Sequence, residues 1–387
     1  MVLGYTHHKD NTQRKLWVEI DQKALVANIH LLKKTFKTTA IMAIVKSNAY
    51  GHGLVEVCQI LFDLQLPWYG ICDYDEAQVL CDLGCPGKIL VLGPLHPAEL
   101  SDIAHHIPKA TVCLSSEDLI DAWLALKQPQ QAFIKCDTGM SRLGISPHRF
   151  QTVLQKIKAS PHRSLIRGIM THYANTPSPP DHPDLPIKKQ LAIYKTCISQ
   201  YLSQGFTMDL CHGGASHPAL LYKKARGDIV RLGGPIYGFF STAESQRRLP
   251  DLHLQPVLSW KTRIVQIKDL HKGAQVGYGS TYTAKEDITM AVLPLGYWHG
   301  YFRKMGSNQE SYVLIDDHKC PIIGSVSMTM MTVKLPRKSG FFIGQEVILL
   351  GKSPHHCLSA TVLAGWQETI PYEITTSIHP SIKRIVV

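Results

Sequence analysis

Between about residues 39 and 240, short apolar runs alternate with longer stretches whose apolar positions recur at helical spacing. The runs are AIMAIV (40–45), WYGIC (68–72), KILVL (88–92), ATVCL (110–114), AFIK (132–135), IRGIM (166–170), MDLC (208–211) and DIVRL (228–232), which makes eight strand candidates. Helical spacing fills Val55 to Leu64, Glu76 to Leu83, Glu117 to Leu126 behind a cap at Ser115 or Ser116, Phe150 to Lys158, and Lys188 to Leu202. Strands that are apolar throughout are buried on both faces, as parallel strands are. Eight such βα units in about 200 residues predict an α/β fold, a (β/α)8 TIM-type barrel, with an extra helix over Gln22 to Phe36 ahead of the first strand.

Past Pro250 the texture changes to runs that alternate at period two or are cut by Gly and Pro, from PVLSWKTRIVQIKDL (256–270) to QEVILLG (345–351). That predicts a mainly antiparallel β domain, and the polar stretch Ser241 to Asp251 marks the junction. The expected organisation is a tail over 1–14, the barrel over 15–245 and the β domain over 246–387.

Composition narrows the function classes. The formal charge is +11, yet basic residues are scattered in ones and twos, a pattern that favours small anions over nucleic acid. The first twenty residues lack the apolar core of a secretion signal and no run anywhere approaches the length of a membrane span, so the chain reads as cytoplasmic. Ten dispersed cysteines suit reduced thiols, and Cys81 with Cys85 is too isolated for a zinc half-site. The pairs His105-His106 and His355-His356 read as surface histidines, and no metal is expected.

Barrel enzymes carry their chemistry where strands end at the top face. The first strand ends in Lys46, followed by Ser47, Asn48, Ala49, Tyr50, Gly51, His52 and Gly53. A lysine at the rim of an apolar wall is partly desolvated, which leaves a usable amine for Schiff-base chemistry. The plainer alternative is a lysine whose stem snorkels from a strand end.

The segment VKSNAYGHG resembles the cofactor-lysine segment of the alanine racemases, fold-type III enzymes that use pyridoxal 5′-phosphate. KCDTGMSRLGI (135–145), MTHYA (170–174), RLGGPIYG (231–238), VGYGSTY (276–282), PLGYWHGY (294–301), VSM (326–328) and TIPYE (369–373) follow in the family's order. The resemblance implies that Lys46 holds the cofactor and acts as the base on one face of Cα, while Tyr278 works on the opposite face from a neighbouring subunit. A phenol with a pKa near about 10 needs its anion stabilised to act as a base. His172 and Arg231 match the residues the family uses for this.

Arg231 is further implied to face the pyridine nitrogen, where a guanidinium keeps its own proton. Ser216, Gly233, Gly234, Tyr50 and Tyr372 are implied around the phosphate, with Gly213, Gly214 and Ala215 beside them and Ser216 capping the following short helix. Arg142 and the Met328 amide are implied to handle substrate. Tyr297 and Arg303 are implied to line an entrance for small amino acids, and Lys135 matches a lysine that many members carry carbamylated. An ordinary Lys135–Asp137 contact is the alternative for that lysine. The implied assembly is a homodimer with shared sites.

Three positions depart from the family pattern: Thr329 for an aspartate, Ser325 for an arginine, and Ala215 for an asparagine; the loop Asn175-Thr176-Pro177 also differs. These leave open a racemase of broader substrate range, accepting serine or larger amino acids. A non-catalytic pyridoxal-phosphate-binding protein fits less well, because it needs no second-face tyrosine; a fold-type III decarboxylase fits the motifs less well.

Overall fold

The computed structural model describes residues 14–174, 185–337 and 340–387; His7, His8 and the Asn175 to Pro177 loop lie outside them. The eight expected strands form one parallel sheet: β1 (Ala40–Ile44), β2 (Trp68–Ile71), β3 (Lys88–Val91), β4 (Thr111–Leu114), β5 (Ala132–Lys135), β6 (Ile166–Met170), β7 (Leu210–His212) and β8 (Ile229–Leu232). Each strand pairs with the next from β1 to β7, β8 pairs with β1, and a bridge between Ala215 and Arg231 ties β8 back toward the end of β7. The result is a nearly closed barrel. Met42, Ile44, Trp68, Leu90, Cys113, Phe133, Met170 and Ile229 fill its interior, each buried. This is the packing that continuous apolar runs demand.

The outer helices begin where local chemistry places them. Ser116 caps Glu117–Ala125 by accepting from the Leu119 amide at 3.2 Å, resolving the choice between Ser115 and Ser116. A helix over Pro97–His106 is an addition to the expected set; His96 and Glu99 form a reciprocal capping box at its start.

Gly168 shows how tightly the barrel wall is built. Its φ is +147°, and a Cβ there would lie 1.8 Å from the Leu210 carbonyl oxygen on the adjacent strand. Gly168→Ala is therefore expected to cost about 3–5 kcal/mol of stability, from backbone strain and overpacking together. Denaturant unfolding checks this; an unchanged midpoint would contradict the strand spacing described.

Residues Val26–Tyr50 and Val57–Gln255 make up the barrel unit, and residues up to Leu25, Gly51–Glu56 and Pro256–Val387 make up the second unit. In the second unit a largely antiparallel sheet runs in the order Gln266–Leu270, Ile288–Leu293, Met331–Lys334, His318–Ile323, Tyr312–Ile315, Glu346–Lys352, Leu258–Arg263, Leu16–Ile20 and Arg384–Val386. The Leu16–Ile20 strand differs from the expected division, which placed it with the barrel. It pairs with Leu258–Arg263 and Arg384–Val386, burying Trp17, Val18 and Ile20. Its partners lie more than two hundred residues downstream, so position in the chain gave no guide to its pairing.

Candidate active site

The lysine-bearing turn comes first. The buried β1 strand ends at Ile44, Val45 donates to the Gly70 carbonyl at 3.0 Å, and Lys46 follows, half-buried. Ser47, Asn48, Ala49 and Tyr50 then adopt φ values of 56°, 54°, 52° and 54°, a left-handed turn with no glycine in it. L-residues resist this conformation by roughly 1–2 kcal/mol each. Such a run is held by its surroundings. No local signal for it exists in the sequence.

Within the barrel unit, Arg231 on β8 is buried and spends its guanidinium on five acceptors. It donates to the carbonyls of Thr171 (2.7 Å), His212 (3.0 Å) and Gly213 (3.0 Å), and it meets Nδ1 of His212 (2.6 Å) and of His172 (3.4 Å). Burial lowers its pKa to about 10, which still leaves it charged at neutral pH. The Lys135 amine is also buried; burial pushes its pKa down, and the charges of Arg231, Arg142 and Lys46 push the same way. Asp137 does not relieve it, because its Oδ1 accepts the amides of Gly139, Met140 and Ser141 in its own loop. Arg142, in that loop, is exposed.

His172 is driven down to about 3 by burial first, then by Arg231, Lys135, Arg142 and Lys46. It is a neutral imidazole. With Nδ1 turned to Arg231, Nε2 carries the hydrogen and is the donor. His212, the last residue of β7, is wholly buried, held neutral for the same reasons, and its Nε2 has no partner. The sequence reading ended this strand at Cys211 and so missed His212, although reading strand ends is the rule that finds it.

A small-residue cradle lies beside this cluster. Ser216 Oγ accepts the Gly233 amide at 3.1 Å, and a Cβ on Gly233 would lie 2.7 Å from the Tyr50 hydroxyl. A Cβ on Gly213 would lie 2.5 Å from the Tyr173 hydroxyl. Only glycine admits these hydroxyls. Ser216 is the first residue of the Ser216–Leu221 helix and not its cap; Ala215 holds the cap position without a side-chain bond. The serine oxygen is committed instead to the loop after β8, where Gly234 follows.

In the second unit, Tyr278 sits on a tight turn at 76% exposure, its carbonyl accepting the Ser325 hydroxyl at 3.1 Å. Tyr297 and Trp298 donate their amides to Ser327 and Met328 carbonyls at 3.1 and 3.0 Å. Tyr297, Trp298, Met328 and Met330 are all exposed. Arg303 and Thr329 are exposed too. Tyr372 lies near the start of the Pro371–Thr376 helix and is half-buried.

The buried neutral histidines have a consequence for stability. His217, also buried, is lowered to about 4 by burial. Unfolding releases these imidazoles to a pKa near about 6.5, so the unfolded chain binds protons that the folded chain refuses. The contribution of His217 is complete above about pH 6.5 and is lost as pH falls toward about 4, at up to about 1.4 kcal/mol per pH unit, and His212 acts in the same direction. Urea midpoints at pH 7.5 and 5.5 are expected to differ steeply. Equal midpoints would contradict this.

Among the described residues, no helix is long and apolar enough to cross a membrane. The chain matches the family profile "Alanine racemase, N-terminal domain" over residues 20–240 and "Alanine racemase, C-terminal domain" over 257–386. It is 34% identical to an alanine racemase of Methylacidiphilum infernorum over 371 residues, covering 95% of this chain and 92% of that one. It is 31% identical to an alanine racemase of Symbiobacterium thermophilum over 376 residues, covering 96% and 97%. The crystal structure of alanine racemase from Bacillus anthracis with bound L-Ala-P superposes with a TM-score of 0.88 at 28% identity, covering 97% of this chain and 95% of that one. Two domain matches that together span nearly the whole sequence, on a barrel followed by a β unit, place this chain in the alanine racemase family.

Proposed function

We propose that this chain interconverts L- and D-alanine by moving a proton on both faces of Cα, with the Lys46 amine on one face and Tyr278 of the partner subunit on the other. Racemisation with pyridoxal 5′-phosphate is the chemistry of the family, whose role is to supply D-alanine for peptidoglycan. The observation that carries the reading is the pair of buried cations at the strand ends of the barrel. Arg231 and Lys135 are both buried, and the bonds of Arg231 go to carbonyls and imidazoles and not to a carboxylate, so the site is built to receive anions.

The residues fit the cofactor. Its phosphate would be held by the hydroxyls of Tyr50, Ser216 and Tyr372 and by amides near Gly233 and Gly234, the missing Cβ of Gly233 leaving room for the Tyr50 hydroxyl. Its pyridine nitrogen would face Arg231, and Lys46 would bind it covalently. When bound, pyridoxal phosphate supplies the conjugated ring that acidifies the substrate's Cα hydrogen.

The chain's own groups do the rest. Lys46 Nζ takes or returns the proton on its face. The neutral His172, donating from Nε2 and backed by Arg231, is the group assigned to stabilise the tyrosine anion, an oxygen being the acceptor such a donor needs. Arg142 and the Met328 amide would bind the substrate carboxylate, with Tyr297 and Arg303 at the entrance. Lys135 suits carbamylation, since a buried amine whose pKa is lowered is nucleophilic toward carbon dioxide.

A homodimer follows from the same reading. Tyr278 is largely exposed, in a unit that also exposes Tyr297, Trp298, Met328 and Met330. Aromatic and Met side chains of this kind mark an interface core. We place the enzyme in the cytoplasm.

Chiral chromatography tests the activity. Protein incubated with either alanine enantiomer is expected to reach an equal mixture, faster than with serine, lysine or arginine. Comparable rates for lysine or arginine would favour the broader substrate range suggested by Thr329, Ser325 and Ala215; no conversion of alanine would overturn the reading.

A further inference from the structure

In the left-handed turn after Lys46 the Ala49 amide donates to the Val45 carbonyl at 2.8 Å. The amides of Ser47 and Asn48 precede that bond, and the first amides of any helical turn lack partners within it. Both meet Glu76. Its Oε1 accepts the Asn48 amide at 3.2 Å, the Ser47 amide bonds to the same carboxylate, and Oε2 accepts the Cys72 amide at 2.8 Å.

Glu76 is the third residue of the Tyr74–Asp82 helix, whose cap Asp73 accepts the Glu76 amide at 3.0 Å. A glutamate at this position ordinarily turns back to the cap residue's own amide. Here it reaches past the cap, to the loop after β2 and to the turn after β1. Burial pushes the Glu76 carboxyl pKa up, while the backbone amides of Cys72, Asn48 and Ser47 act in the opposite sense. One carboxylate thus joins the ends of two neighbouring barrel strands to the segment that carries the lysine.

We propose that Glu76 is a positioning residue for Lys46: its carboxylate holds the turn over 47–50 in its left-handed form and so fixes the direction in which the lysine leaves the barrel rim. The inference rests on the reading of Lys46 as the cofactor lysine. Helix capping alone does not account for the bonds to Ser47 and Asn48, which lie in another loop.

The test compares Glu76→Ala, Glu76→Gln and Glu76→Asp with Glu99→Ala in the holoenzyme. Glu99 occupies the equivalent helix position and, among the described residues, accepts only the His96 amide, at 2.6 Å, so its loss removes a cap away from the turn. In Glu76→Ala, hydrogen exchange over residues 46–50 is expected to quicken by about tenfold or more as the local structure opens. Its kcat for alanine should fall by about 10–100-fold with KM nearly unchanged, the signature of a misplaced reacting group. Glu76→Gln keeps one acceptor oxygen and should fall between; it carries the test if the alanine variant does not fold. Glu99→Ala should alter neither readout. Unchanged exchange and kcat in folded Glu76 variants, or equal changes in Glu99→Ala, would overturn the proposal. If borohydride fails to trap pyridoxal phosphate on Lys46 in the unmodified protein, the reading of the site fails; if trapping succeeds and the Glu76 variants behave as the unmodified protein, only this inference fails.

Discussion

Lys46→Ala is expected to lower kcat/KM for alanine by about 10⁴-fold or more, because one substitution removes both the covalent anchor and a proton-transfer group. The fold should survive. Lys46 is half-buried at the rim, and the barrel interior beneath it is filled by Met42, Ile44 and their neighbours, none of which depends on the lysine. A melting temperature close to that of the unmodified protein, with the visible band of the lysine-bound cofactor lost, separates loss of chemistry from loss of structure. Added methylamine should restore part of the activity by entering the space left by the lysine amine. Full activity in Lys46→Ala would end the proposed role.

The second large effect is one of stability. Arg231→Ala removes a buried guanidinium and strands the carbonyl oxygens of Thr171 and Gly213 together with Nδ1 of His212, while the His212 carbonyl keeps the Thr171 amide at 3.2 Å. Buried acceptors left without donors cost about 1–3 kcal/mol each, so a loss of roughly 3–5 kcal/mol is expected even after partial relaxation. Arg231→Lys should recover part of it, since an ammonium reaches some of those carbonyls but lacks the planar fork. Removing the positive charge also relieves His172, whose pKa should rise from its present value of about 3. Denaturant unfolding and imidazole NMR titration measure both. A fully stable Arg231→Ala would mean that the carbonyls find other donors.

The barrel was legible because its signal is local and repeated. Each apolar run had to be buried on both faces, and all eight strands formed within a residue or two of their expected positions. The features that were not legible depend on distant partners. LWVEI carries a strand pattern but nothing in it points to Leu258–Arg263 or Arg384–Val386. Pro97–His106 buries only two apolar residues, Leu100 and Ile103, too few to set a period; its capping pair, His96 and Glu99, was the better signal.

The candidate site divides in the same way. Lys46 stands just beyond a strand end, where position nominates it; His172, just past Ile166–Met170, and Arg231, inside Ile229–Leu232, were named by the family resemblance. The left-handed turn and the bonds from Glu76 are tertiary facts: SNAY contains no residue that requires φ above zero, and DYDE reads as an ordinary helix start. The serine at 216 is not the cap expected of it, because a hydroxyl ahead of a short helix looks like a cap until the Gly233 amide is seen beside it.

The central claim is that one catalytic centre draws its lysine from one subunit and its tyrosine from another. Mixing inactive Lys46→Ala with inactive Tyr278→Phe under conditions that exchange subunits tests it most directly. The account predicts that hybrid dimers, which pair one intact lysine with one intact tyrosine, regain up to about half the specific activity of the unmodified enzyme per dimer. Activity that stays at the level of the separate variants, with exchange verified by mass, would contradict it.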